Sequence, residues 1–124
     1  MLFWKAREGA SITCDQLQTA AAGETRTAVL DLTGLLASAD LLTGTPTVTV
    51  TLADGTATVG VTLASKVVNT GAIVDGNGDT IAIGKAVQWS TACVTAGFYL
   101  ITVTPASTAS PTQTIKRNCR LNVV

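Results

Sequence analysis

The stretch PTVTVTLADGTATVGVTLA, residues 46 to 64, constrains the fold more than any other part of the chain. Val48, Val50 and Leu52 alternate with threonines, and beyond Asp54 and Gly55 the residues Val59, Val61 and Leu63 alternate again. Successive side chains of a strand point to opposite faces, so a period of two makes each run apolar on one face and polar on the other. Asp-Gly is a pair suited to a two-residue type I′ turn, and the segment therefore predicts a β-hairpin.

The same period recurs. In RTAVLDLTG (26 to 34) Ala28, Leu30 and Leu32 share one face and Thr27, Val29 and Asp31 the other. GFYLITVTP (97 to 105) sets Tyr99, Ile101 and Val103 together, and AVQWS (86 to 90) does so for Val87 and Trp89. In QTIKRNCRLNVV (113 to 124) the apolar face is Ile115, Cys119, Leu121 and Val123, while Lys116, Asn118, Arg120 and Asn122 face water. Arg117 breaks the inner register and predicts a sheet end. ASTASPT (106 to 112) reads as a turn, and no stretch has the period of a long helix. About seven short antiparallel strands punctuated by turns predict an all-β chain, a single immunoglobulin-like β-sandwich over residues 25–124.

Residues 1–24 stand outside this rhythm and read as an N-terminal arm or an edge strand. Phe3 and Trp4 cluster there in a chain only 4% aromatic. So apolar a terminus needs cover, and docking on a neighbouring subunit is expected, with Phe3 and Trp4 as partner-binding residues.

With 124 residues and 12.6 kDa, one domain buries enough surface to fold without disulfides. Cys14, Cys93 and Cys119 form no Cys-x-x-Cys pair and read as reduced structural residues. The MLFWKAREG start inverts the charge order of a signal peptide, and no apolar run spans a membrane, so synthesis in a cytoplasm is expected. Net charge is zero, which argues against a nucleic-acid or membrane partner, but its distribution is uneven. All eight acids fall within residues 1 to 79, and residues 80 to 124 carry four of the eight cations. Lys116 and Arg120 on the last strand are therefore candidate partner-binding residues, facing a neighbour's acidic loops.

DGNGDTI (75 to 81) places Asp75, Asn77 and Asp79 at the alternate positions of a calcium loop. Thr80 and Ala86 then stand where an EF-hand needs Gly and Glu, so the stretch reads as turn chemistry between strands, with no metal and no cofactor. Without histidine the chain lacks the commonest neutral-pH base, and its carboxylates are scattered singly, so it is expected not to be an enzyme. The cations flanking Cys119 point away from it on a strand, which makes it a core residue rather than an activated thiolate.

AVLDLTGLLASADLLTGTPTVTV (28 to 50), AVQWSTACVTAGFYLITVTPAST (86 to 108) and IKRNCRLNVV (115 to 124), in that order, resemble the fiber-tail adaptor family of tailed bacteriophages. The features that carry it are the VLD strand with its loop of small residues, Trp89, and the strand led by Tyr99. Residues 51 to 85 look like an insertion. The resemblance implies a structural virion protein at the portal/tail junction, arranged in a ring, with other virion proteins and copies of itself as partners. A capsid decoration protein is the alternative within the same architecture, and a calcium- or carbohydrate-binding module the alternative from another class.

Overall fold

A computed structural model describes residues 1–7, 12–75, 77–107 and 113–124. The chain is all-β, built from β1 (Leu2–Lys5), β2 (Thr13–Ala20), β3 (Thr25–Asp31), β4 (Leu42–Leu52), β5 (Val61–Val68), β6 (Ile73–Val74), β7 (Thr80–Ile81), β8 (Ala86–Cys93), β9 (Gly97–Ser107) and β10 (Arg117–Val123). Two four-stranded sheets, ordered β1-β3-β8-β5 and β2-β10-β9-β4, pack on a common core, and β6 and β7 form a separate ribbon. The one helical turn among the described residues is the short 3-10 segment Thr33–Leu35.

Alternation sets which residues meet between the sheets. Val87, Trp89 and Cys93 of β8 face Tyr99, Ile101 and Val103 of β9 and Cys119, Leu121 and Val123 of β10 within one cluster of buried side chains. Arg117 begins β10, at a sheet end. Of the turn segment at 106 to 112, Ala106 and Ser107 close β9, and residues 108–112 lie outside the described residues.

The hairpin expected at 46 to 64 does not form. β4 pairs with β9 and β5 with β8, in opposite sheets. A tight turn at Asp54–Gly55 is present, with Gly55 at φ 90°, but the ladder beyond it is the single bridge Thr51↔Ala57. The physical reason lies in the two apolar faces. Side by side in one sheet, Val48–Leu52 and Val61–Leu63 would both need cover from elsewhere; across the sandwich they cover each other. The crossing uses Gly60, where a Cβ would lie 2.2 Å from the Tyr99 hydroxyl. That hydroxyl donates to the carbonyl of Thr95 at 2.7 Å.

Of the two readings of residues 1–24, arm or edge strand, the described residues follow the second. β1 lies parallel to β3, from Leu2↔Ala28 to Lys5↔Asp31, and β2 lies parallel to β10, so the segment edges both sheets. These parallel pairings depart from the expected all-antiparallel arrangement. Trp4 is fully buried, stacked on Trp89 with ring centroids 5.9 Å apart, and its indole N–H donates to the carbonyl of Arg120 at 3.1 Å. A partner-binding role for Trp4 is therefore overturned: the apolar terminus finds its cover in its own core. Gln18 and Gln16 of β2 accept from the amides of Phe3 and Lys5 at 3.2 and 3.3 Å, which occupies donors that an edge strand would otherwise expose. Glu8 to Ser11 of this segment lie outside the described residues.

The outer face of the first sheet is also covered. Val29, expected on the polar side of its strand, is fully buried with Ile81 and Ala86 because the β6–β7 ribbon and Phe3 pack over it. Phe3 is thus half-buried within its own chain, and its remaining surface borders an open cleft. Asn69 anchors the ribbon. Its side-chain oxygen accepts from the amides of Lys85 and Ala86, and its amide donates to the carbonyls of Gly71 and Ala82, all within 3.1 Å. At the ribbon tip the Asp75 carboxylate accepts from the amides of Asn77 and Asp79 at 2.8 and 3.0 Å. Gly78 has φ 85°, and Gly76 lies outside the described residues.

Candidate assembly surfaces

The registers define two ends of the sandwich. Lys5, Asp31 and Ala86 are aligned at one end of the first sheet, where β10 begins at Arg117 in the second. At the other end Thr25 pairs with Ala92 and Val123 with Gly97, and the amides of Ala22 and Gly23 donate to the carbonyls of Val124 and Cys93. That second bond and its neighbour bring the two sheets together at the turn.

Charge divides between these ends. Lys5, Arg7 and Lys116 are exposed at the first, beside half-buried Arg117, with Asp15, Asp40 and the buried Asp31 as carboxylates of this end among the described residues. A fifth cation at this end, Lys85, is removed from the surface. Its ammonium donates to the carbonyls of Ala37 and Ser38 at 3.0 and 3.2 Å and to that of Asp40, holding the β3–β4 loop. At the second end Glu24 and Asp54 are exposed, and Arg26 sits 3.7 Å from Glu24. The Thr56 hydroxyl and amide hold the Asp54 carboxyl below its ordinary pKa, the amide donating at 2.9 Å. Asp79 at the ribbon tip is also exposed, and the neighbouring ribbon residues Val74, Asp75 and Asn77 border a cleft with Met1 and Phe3.

Apolar side chains share these ends. Ile12, Leu41 and Ile83 are exposed at the cationic end, and Val59, Val94 and Val124 at the anionic end, Val59 at 87% of its full accessibility. The amide of Val94 donates to the carbonyl of Gly60, which places Val59 and Val94 close together.

Of the residues read from sequence as partner-binding, Lys116 belongs to the cationic end. Arg120 does not. Its register partners are Leu17 on β2 and Leu100 on β9, midway along the outer face of the second sheet, where its guanidinium donates to the carbonyl of Asp15. There Leu17, Phe98, Leu100 and Arg120 line a groove of about 380 Å³. Phe98 and Leu100 were missed in the sequence reading, although their signal was available: they are the apolar residues on the otherwise polar face of GFYLITVTP. Lys5 and Arg7 were missed because partnership with Lys116 depends on β1 and β10 reaching the same end.

No family model and no curated protein matches the chain. Among solved structures it is similar to one described as "Solution Structure of Amebosin", at 12% identity and a TM-score of 0.37, with 100% of this chain and 99% of that one covered. A likeness this slight bears on neither fold family nor function.

Proposed function

We propose that the chain is an immunoglobulin-like structural protein of a tailed bacteriophage virion, acting as an adaptor at the portal/tail junction that links tail components and fibers. The opposed charge of its two ends carries this reading. Copies set head to tail bring Lys5, Arg7, Lys116 and Arg117 of one toward Glu24 and Asp54 of the next. Heterologous contacts of this kind close into rings when the rotation allows. Exposed ion pairs contribute only about 0 to 1 kcal/mol each, so charge sets the orientation while affinity comes from the aliphatic side chains at both ends.

The immunoglobulin-like assignment is supported by two features. The sheets β1-β3-β8-β5 and β2-β10-β9-β4 follow the strand order A-B-E-D and A′-G-F-C of that architecture, with β1 reversed. Tyr99 opens the strand equivalent to F and bonds back to Thr95 in the preceding loop, as a tyrosine corner does. Catalysis is not part of the proposal, since the chain has no histidine and its Asp75 carboxylate is engaged by backbone amides.

Sedimentation velocity of the purified chain tests the head-to-tail contact. At low salt, self-association is expected that high salt reverses. Lys116→Glu with Arg117→Glu abolishes it, and adding Glu24→Lys with Asp54→Lys to the same chain restores it. Identical sedimentation of all three proteins would contradict the contact.

A further inference from the structure

The geometry points to Cys14 and Cys119 as a dithiol that a peroxide converts to an intramolecular disulfide joining β2 to β10. The strands are parallel neighbours, Thr13 is in register with Asn118, and the cysteines follow that pair on each strand, inside the irregular stretch where the register shifts before Leu17 meets Arg120. Both side chains turn into the same core, Cys14 at 5% and Cys119 at 0% exposure, with the two thiols hydrogen-bonded to each other. Cys93, the third cysteine, is buried on β8 in the opposite sheet.

The pair is asymmetric in a way that assigns roles. Cys14 borders a narrow surface cleft with Lys5, Arg7, Asp15 and Arg117, whereas Cys119 lies behind it. The hydrogen bond from Cys119 and the nearby Arg117 guanidinium favour the Cys14 thiolate against the cost of burial. Burial pushes the Cys119 thiol well up, keeping its proton. The cleft is too tight to hold a water molecule, so oxidation requires local opening at the start of β2, and the small oxidant class that such an opening admits, a peroxide, is the one named.

Two steps balance the reaction. The Cys14 thiolate attacks one peroxide oxygen, the O–O bond breaks, and the departing hydroxide takes up a proton to leave as water, giving a sulfenic acid at Cys14. The Cys119 sulfur then attacks the Cys14 sulfur, and the displaced hydroxyl leaves as a second water with the Cys119 proton. Two thiols have lost two electrons, and the peroxide has gained them.

Hydrogen peroxide added to the folded full chain, followed by intact-mass and peptide mass spectrometry, tests this. The expected product has lost two hydrogens, contains a Cys14–Cys119 cross-linked peptide, melts several degrees higher and reverts with dithiothreitol. Cys93→Ser is expected to behave as the parent. Cys119→Ser should stall at a Cys14 sulfenic acid captured by dimedone, and Cys14→Ser should leave Cys119 unmodified; circular dichroism establishes that both variants are folded. If a variant fails to fold, the mapped cross-link in the parent and the Cys93→Ser chain decides alone. Preferential oxidation of Cys93, or peroxide consumption without the cross-link, would overturn the proposal, as would no oxidation while the chain remains folded.

Discussion

Tyr99 and Gly60 show how single residues carry this fold. The strand crossing brings the Gly60 backbone against the Tyr99 ring so closely that a Cβ would meet the hydroxyl at 2.2 Å and the ring carbon beneath it at 3.2 Å. Gly60→Ala is expected to destabilise the chain by roughly 1–3 kcal/mol through overpacking, and Tyr99→Phe by about 1 kcal/mol through loss of the bond to Thr95. The two share a cause, so Gly60→Ala should cost less in the Tyr99→Phe background, and urea unfolding of the four proteins in the cycle measures that coupling. Asn69, 1% exposed with four hydrogen bonds, is a second such position. Asn69→Ala strands buried backbone groups and is expected to cost about 1–3 kcal/mol for each left unsatisfied, with faster amide exchange at Ala86 as its local sign. Asp54 contributes one solvent-screened part of the pH dependence. Because its folded pKa lies below its unfolded one, it contributes stability above the unfolded value that is lost as pH falls through the folded value. Asp54→Asn should make the acid limb of a thermal-melting profile slightly shallower and leave the neutral region shaped as before.

At the scale of elements, β1 is the piece whose role the structure changes. Four residues bring Leu2 and Trp4 into the core and close the edge beside β3. Removing residues 1–7 is therefore expected to prevent cooperative folding rather than release a free sandwich, and Trp4→Ala alone should remove roughly 3–5 kcal/mol. A truncated chain with an unchanged melting transition would return these residues to the status of an arm. The Asp54–Gly55 turn should respond in the opposite way. It closes a one-bridge ladder rather than a hairpin, so inserting a few Gly and Ser residues there should lower stability by less than about 1 kcal/mol, as loop-closure entropy dictates. Alternation made the strand faces of β4, β8, β9 and β10 legible in the sequence, because each has one dominant buried side. It could not say which strands pair. Val48 and Val61 have the same pattern whether their strands lie side by side or face each other, and only the total need to cover both faces selects the second. Val29 and Trp4 were misread for a related reason: their cover comes from the ribbon and from Trp89, elements distant in sequence.

The whole molecule is a sandwich whose ends carry opposite charge and whose outer faces are only partly covered, the second sheet keeping an open groove at Leu17 and Phe98. Glutamines cap β1, the ribbon covers part of one outer face, and exposed aliphatic side chains gather at both ends beside opposite charge. The sequence carried half of this polarity, in the confinement of acids to residues 1 to 79, but the cationic end required Lys5 and Arg7 to be brought beside Lys116 by folding. Head-to-tail contact between such ends is the proposed assembly, and it closes into the adaptor ring only where the rotation between copies allows. A cryo-electron microscopy reconstruction of the tailed particle containing the chain is the most direct measurement. It is expected to show a ring of β-sandwiches at the portal/tail junction, with the Lys116 end of each copy against the Glu24 and Asp54 end of the next. Density for the chain over the capsid shell instead of the junction, or a junction ring with like ends in contact, would contradict the account.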